Sequence, residues 1–251
     1  MKALILAAGY GTRLYPLTLN RPKPLLKVGS KTITDRLAEK LEKAHEIDEI
    51  FIVTNEKFTP NFEEWAEKSS YKKPIYIIND RTLTNETRLG AIGDIDLVIR
   101  EKSVKDDLLI LGGDNLFEFN LSDFILFFRS KKGAALALRD VGDLNEAKKY
   151  GVVDIDENEK VLEFAEKPKK PKSTLAAMCL YLFPKDTLHL VKRYLASGGN
   201  KDAPGYYLSW LSENIPVYGY KVKGEWFDIG DKRLLKLADE LYSKKEKEKN
   251  G

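Results

Sequence analysis

The sequence is poor in the side chains that serve most redox, zinc and nucleophilic chemistry. It holds one cysteine, Cys179, and two histidines, His45 and His189. A single cysteine closes no intrachain disulfide and supplies no zinc cluster. Lying in the apolar run AAMCLYLF, Cys179 reads as a small core residue. His45, in EKAHEID, reads as a solvated helix end, and His189 as packed or capping inside a helix over 184–196. Long apolar runs are missing too. No segment reaches the ~18 to 20 apolar residues of a membrane span. The apolar stretch Ala3 to Ala8 is too short for a signal peptide and runs straight into Gly-rich sequence. No membrane partner and a cytoplasmic location are therefore expected. Nor is there an excess of one charge: 42 Lys plus Arg against 39 Asp plus Glu leave +3. That gives no case for a nucleic-acid partner, although a phosphate pocket needs only a few cations. No internal repeat and no Pro-, Gly- or Ser-rich linker divides the chain.

What is present is a core-forming, regularly patterned chain, 43% hydrophobic and 32% charged. KALILAA (2–8) is continuous and apolar, as in a strand buried on both faces. EIFIVTN (49–55), PIYIIN (74–79), DLLILGGDN (107–115) and GAALALRD (133–140) are further strands. Helical spacing covers 34–44, 89–99 and 121–132. Strand and helix in alternation predict an α/β fold, a Rossmann-like, mostly parallel sheet with helices on both faces. Later come strands at 151–156, 161–168, 174–183 and 215–222, and helices at 184–196, 204–211 and 231–244. The expectation is one domain over 1–245, with a first part (1–140), a smaller lobe (141–230) and a C-terminal helix (231–245). Residues 246–251 are expected to fray.

The first strand runs into AAGYGTRLYPLTLNRPKPLL. In a doubly wound sheet, ligands sit outside the carboxyl ends of the strands. Gly9 and Gly11 allow backbone N–H groups to form an anion-binding nest. Arg13 adds a fork and Lys23 a point charge, while Pro16, Pro22 and Pro24 stiffen the loop. The dinucleotide fingerprint fails for want of a third glycine, and no P-loop run exists. Read alone, the loop is as compatible with a glycine turn beside surface cations as with a triphosphate cradle.

The run LAAGYGTRLYPLTLNRPKPLL resembles the signature of the sugar-phosphate nucleotidylyltransferase family, which includes glucose-1-phosphate thymidylyltransferase and the uridylyltransferases. The resemblance implies that Gly9, Gly11, Thr12 and Arg13 line a triphosphate, that Lys23 contacts phosphate, and that Ala8 and Gly9 approach the base through their backbone. Two aspartates stand at further motif positions: Asp114 in Gly113-Asp114-Asn115 and Asp228 in Trp226-Phe227-Asp228-Ile229-Gly230. Taken singly, each is a common turn residue. The resemblance implies that together they hold a catalytic Mg²⁺, an ion that takes oxygen ligands. Glu166-Lys167-Pro168, following Tyr150-Gly151-Val152, has an exposed ion pair as its commonest reading. By resemblance, Glu166 binds sugar hydroxyls, Lys167 binds the sugar phosphate, and Gly151 leaves the sugar room. Where the family often carries Gly-Thr-Ala near the base, this chain has Asn85-Glu86-Thr87-Arg88-Leu89-Gly90-Ala91. Asn85, Arg88 and Gly90 either read the base or cap and decorate the helix that starts there.

The implied reaction joins a nucleoside triphosphate (dTTP or UTP favoured) to a sugar 1-phosphate (glucose 1-phosphate favoured). A phosphate monoester has a second pKa of about 6 and is already anionic at neutral pH. No general base is needed, which suits a chain with two histidines. Positioning and charge neutralisation by Arg13, Lys23 and Lys167 then dominate. The alternatives are cytidylyl or other nucleotidyl transfer to phosphocholine or an inositol phosphate, and a non-catalytic nucleotide-sugar-binding regulator. Phosphocholine calls for an aromatic cage, to which Tyr206, Tyr207 and Trp210 could contribute if they are not core. Phe124, Ile125, Phe127 and Phe128 crowd one helix, as either a homo-oligomer contact or a buried face. The left-handed β-helix of bifunctional relatives is not found, so no acetyltransferase activity is expected.

Overall fold

The computed structural model describes residues 1–250, with the side chains of Lys249 and Asn250 left aside. The elements in chain order begin with β1 (Lys2–Leu6), β2 (Lys27–Val28), β3 (Lys31–Thr32), α1 (Ile33–Lys43), β4 (Glu49–Thr54), α2 (Thr59–Lys68) and β5 (Ile75–Asn79). Then come α3 (Ala91–Glu101), β6 (Leu108–Gly112), β7 (Asn115–Phe117), α4 (Leu121–Ser130), β8 (Ala134–Asp140), α5 (Leu144–Ala147) and β9 (Gly151–Ile155). The chain continues through β10 (Val161–Glu166), β11 (Leu175–Phe183), α6 (His189–Ala196), α7 (Pro204–Asn214), β12 (Val217–Lys221), β13 (Trp226–Asp228) and α8 (Lys232–Asn250).

A nine-stranded sheet organises the molecule. Its parallel centre runs β6-β1-β4-β5, so four strand ends open on one edge. β11 joins β6 antiparallel, and β8 joins β11; β12 then lies parallel to β8. β9 and β10 branch from the first half of β11. The strands of 141–230 therefore extend the same sheet that the first 140 residues start. Two small ribbons complete the architecture: β2–β3, and β13 antiparallel to β7.

Period-two alternation fills both faces of the sheet. Ala3, Ile5, Ile50, Ile52, Leu109 and Leu111 pack into one core with α1 and α4. Leu4, Phe51, Val53, Leu108 and Ile110 pack into the other with α3, α6 and α7. Helix α1 shows the local logic. A capping box links Thr32 and Asp35, and Ile33, Leu37 and Leu41 are buried at helical spacing. Burying each such side chain contributes about 1.5–3 kcal/mol.

Several expectations change here. α2 was absent from the pattern reading; only Phe62 of its side chains is buried, so no apolar stripe announces it. The tail expected to fray is helical through Asn250, and Glu246 binds Ser30 and Arg36. Gly251 lies outside the described residues. His189 opens α6 on the surface and is neither packed nor capping. In α4, Phe124, Ile125 and Phe128 face the protein's own core and Phe127 packs against it.

Candidate active site

The ends of β1 and β6 lead into a cleft of about 500 Å³. The loop after β1 enters it and is tied down from below. Thr54 donates to the Ala7 carbonyl at 3.3 Å, Asn55 Nδ2 to the Ala8 carbonyl at 2.8 Å, and the Tyr10 hydroxyl to the Thr82 carbonyl at 2.9 Å. Asn55 is fully buried, and its Oδ1 accepts the Phe58 N–H at 3.1 Å. A methyl group added at Gly9 would meet nothing within 4 Å, so the space above it is cleft. Gly11 needs its missing side chain for another reason: φ is 62° where it caps the turn Thr12–Leu14. Thr18 fixes its carbonyl at 2.8 Å. Ala8, Gly9, Gly11, Thr12 and Arg13 all line the cleft, as do Lys23, Asn85, Arg88 and Gly90.

The far wall is a clasp between two loops. Arg88 grips Asp202 with two hydrogen bonds, at 2.9 and 2.7 Å, and donates to the Asn85 carbonyl at 2.6 Å. Gly90, at φ 79°, packs so tightly that a Cβ would lie 2.5 Å from the Lys201 carbonyl oxygen. The Ile92 N–H donates to that same oxygen at 3.0 Å.

Asp114 follows β6 and is ion-paired with Lys23. Burial alone would raise its carboxyl, but the Lys23 ammonium and the Asn115 amide hold it below the ordinary carboxylate value. Asp228 lies on β13, in register with Asn115 on β7, and the Ile229 N–H donates to the Asp114 carbonyl at 2.9 Å. Asp114, in the turn just before β7, is thus brought to Asp228 on β13, although the two stand 114 positions apart in sequence (228 − 114). Burial, then the Asp114 charge, pushes Asp228 up to about 6. Trp226 Nε1 donates to Asn115 Oδ1 at 2.8 Å, and Asn115 in turn donates to Asp114 at 3.0 Å. This relay fixes the Asp114 carboxylate. No cluster of three or more metal-ligating side chains occurs among the described residues. A pair of carboxylates without His or Cys suits a hard cation that draws its other ligands from phosphate and water.

A second chamber, of about 370 Å³, shares Arg13, Asp114 and Gly230 with the first. Gly151, Glu166, Lys167 and Asp228 line it, beside Tyr150 and Trp226, whose rings lie 5.0 Å apart. Glu166 is wedged between two glycines. A Cβ at Gly205 would fall 1.9 Å from its Oε2, and one at Gly151 would fall 3.2 Å from the same atom. Burial raises the Glu166 carboxyl, with Lys167 acting against that. Lys167 is 66% exposed, 3.9 Å from Glu166, on left-handed backbone at φ 45°.

The residues that the sequence assigns to nucleotide, sugar phosphate and metal therefore line one of two connected chambers. Four further features were not foreseen: the Asn55 anchor, the Arg88–Asp202 clasp, Gly205 at the head of α7, and a buried acid, Asp94, in the wall of the larger chamber. Asp94 had a visible signal, an acid standing among the buried residues Ile92, Ile95 and Val98 of α3. Cys179, read as core, is only partly buried and lines the second chamber, although its burial pushes the thiol up to about 12. Tyr207 is core, and Trp210 packs against that core; neither lines a chamber, so the trio Tyr206, Tyr207 and Trp210 forms no cage there.

Comparison with known proteins agrees with this geometry. Residues 2–244 match the family model described as nucleotidyl transferase. The bifunctional protein GlmU of Methanococcus maripaludis strain C7 is 30% identical over 233 residues, covering 92% of this chain and 51% of that protein. The UTP–glucose-1-phosphate uridylyltransferase of Synechocystis is 29% identical, covering 92% of this chain and 60% of that one. The chain thus spans about half to three-fifths of the length of these relatives. Among solved structures, a Bacillus anthracis protein provisionally assigned as a glucose-1-phosphate thymidylyltransferase, in complex with sucrose, superposes with a TM-score of 0.85. It is 25% identical, with 97% of this chain and 95% of that chain covered.

Proposed function

The chain belongs to the nucleotidyl transferase family, and from that premise we propose that it transfers a nucleotidyl group from a nucleoside triphosphate to a sugar 1-phosphate, with Mg²⁺ as cofactor. The observation that carries this reading is the junction of the two chambers at Arg13 and Asp114. The larger chamber takes the triphosphate and the smaller one the sugar phosphate. An oxygen of the sugar phosphate attacks the α-phosphorus, a new P–O bond forms, and the bond from the α-phosphorus to the bridging oxygen breaks. The electron pair leaves with pyrophosphate.

The roles follow from position. Backbone N–H groups from Gly9 to Arg13 cradle phosphate oxygens, and the Arg13 fork serves both chambers. Lys23 brings positive charge to the junction. Glu166 accepts from sugar hydroxyls, Lys167 meets the sugar phosphate, and Gly151 keeps the sugar's approach open. Asn85, Arg88 and Gly90 form the base end of the larger chamber. Asp114 and Asp228 would hold the magnesium ion, which supplies charge neutralisation at the α-phosphate when bound. With two like-charged substrates to align, holding them at the junction supplies most of the rate.

dTTP or UTP with glucose 1-phosphate is the favoured pair, supported by the names of the relatives. The decisive measurement is pyrophosphate release from ATP, GTP, CTP, UTP and dTTP against glucose 1-phosphate, mannose 1-phosphate, N-acetylglucosamine 1-phosphate, inositol phosphate and phosphocholine. Turnover confined to the last two would replace the sugar reading. No release with any pair, in the presence of nucleotide-sugar binding, would make the protein a regulator.

A further inference from the structure

This inference rests on the larger chamber being the nucleotide site and concerns how its base end is read. Asp94, in the first turn of α3, lines that chamber. Directly after β5, Asp80 packs beside it, and each residue is 5% exposed. One oxygen of Asp80 is well served: Oδ1 accepts from the Thr82 N–H and from the Thr82 hydroxyl, both at 2.7 Å. Asp80 Oδ2 and Asp94 Oδ1 are sealed from solvent and have no other partner. The two carboxyls lie within hydrogen-bond reach of each other.

Two ionised carboxylates in such a space would repel without compensation. A single proton between them turns two orphaned oxygens into a donor and an acceptor. Thr82 makes Asp80 the better anion, so the proton belongs to Asp94. Burial, then the Asp80 charge, pushes Asp94 up to about 8, and burial raises Asp80 as well. Asp94 Oδ2 remains. It makes no hydrogen bond to the described residues and is not sealed off as Oδ1 is, so it is the oxygen presented to the chamber.

We propose that Asp94 is a base-reading residue: its Oδ2 accepts a hydrogen bond from a ring or exocyclic N–H of the nucleotide base, while a proton shared with Asp80 keeps Asp94 neutral beside the triphosphate. A buried acceptor rejects a base that offers it no N–H, because both groups then stay unpaired. Sharing the proton solves a conflict. The same chamber must bind a polyanion, and a free second carboxylate at its base end would oppose that.

The other ionisable groups facing the pair are few. Glu56 lies near Asp80, and the Tyr10 hydroxyl is bonded to the Thr82 carbonyl. The chamber walls add Arg13, Lys23, Arg88, Asp114 and Asp202. None of these changes in an Asp94→Asn protein, whose amide can donate to Asp80 and still present an oxygen to the chamber.

The test is calorimetric binding of ATP, GTP, CTP, UTP and dTTP to the full chain with magnesium and no acceptor, at pH 7 and pH 8.5. Wild type should prefer one base and bind it more weakly at pH 8.5, where most of the shared proton is lost while the bases keep theirs. Asp94→Ala should bind the preferred nucleotide about tenfold more weakly and flatten the preference among bases. Asp94→Asn should lose the alkaline weakening, binding with the same affinity at both pH values. Wild-type ranking in Asp94→Ala, or identical pH profiles for wild type and Asp94→Asn, overturns the assignment. If Asp94→Ala does not fold, the profile comparison decides alone. Failure of wild type to bind any of the five brings down the nucleotide-site reading, and this inference with it.

Discussion

On the proposed reading, the two chambers solve the same problem, holding a phosphate ester, by different means. The larger one is made of backbone. Its loop leaves a parallel strand, and Thr54, Asn55 and Tyr10 pin it at successive positions. The smaller one is made of side chains on the antiparallel extension, with Glu166 confined by two glycines and Lys167 left largely in solvent. A pinned backbone can neutralise a phosphate but cannot change partner. A buried carboxylate beside an exposed lysine can be retuned by one substitution. Variation in the acceptor should therefore be easier to evolve than variation in the triphosphate site.

The sharpest break of that contrast is at the junction, which belongs to both chambers. Asp114→Ala should lower kcat/KM by about three orders of magnitude, near 4 kcal/mol of transition-state stabilisation. Circular dichroism and the thermal midpoint should show the fold intact; near-normal turnover would remove the metal assignment. Next comes Gly205→Ala, whose new methyl must displace Glu166. KM for the sugar phosphate should rise about tenfold with KM for the nucleotide unchanged. An equal rise in both would mean that the chambers are not separable. Asn55→Ala is the mirror experiment. It strips a partner from the Ala8 carbonyl and from the Phe58 N–H, so stability should fall by about 2 kcal/mol and KM should rise for the nucleotide alone.

The smallest effect is on pH dependence. Asp228 titrates near 6 in the fold, above its ordinary 3.8. The native state thus binds more protons than the unfolded state between these values, and stability falls as pH rises through that window. Without divalent ions, the thermal midpoint should be higher at pH 5 than at pH 7.5, and Asp228→Asn should shrink the difference, leaving the part that Asp94 contributes. Activity should run the opposite way, declining as pH drops through 6. A midpoint unaffected by Asp228→Asn would mean that the carboxyl is better solvated than its burial implies.

Legibility in the sequence followed the same division. The strands of the parallel centre are unbroken apolar runs, and the loop after β1 carries a long motif, because backbone function needs specific glycines and prolines at fixed spacing. The ribbon that brings Asp114 to Asp228 was not readable: β7 and β13 are three residues each, too short to have a period. α2 was missed because its face hides one large side chain. Gly205 and Asn55 act through close approach of segments far apart in sequence, which no local pattern records. Cys179 looked like core because its neighbours Met178 and Leu180 are core; the pleat turns it the other way, toward the chamber.

One face of α8 holds the region behind the first loop at three successive turns. Asp239 accepts the Gly29 N–H at 2.7 Å, Tyr242 lies under the Arg36 guanidinium at 4.1 Å, and Glu246 takes Arg36 at 2.6 Å and Ser30 at 3.0 Å. During synthesis the β2–β3 ribbon is made early, yet these anchors emerge more than two hundred residues later. Contacts this distant are reached late and slowly. A ribosome-bound chain stopped short of residue 239 would lack all three of these fastenings on β2–β3 and the start of α1.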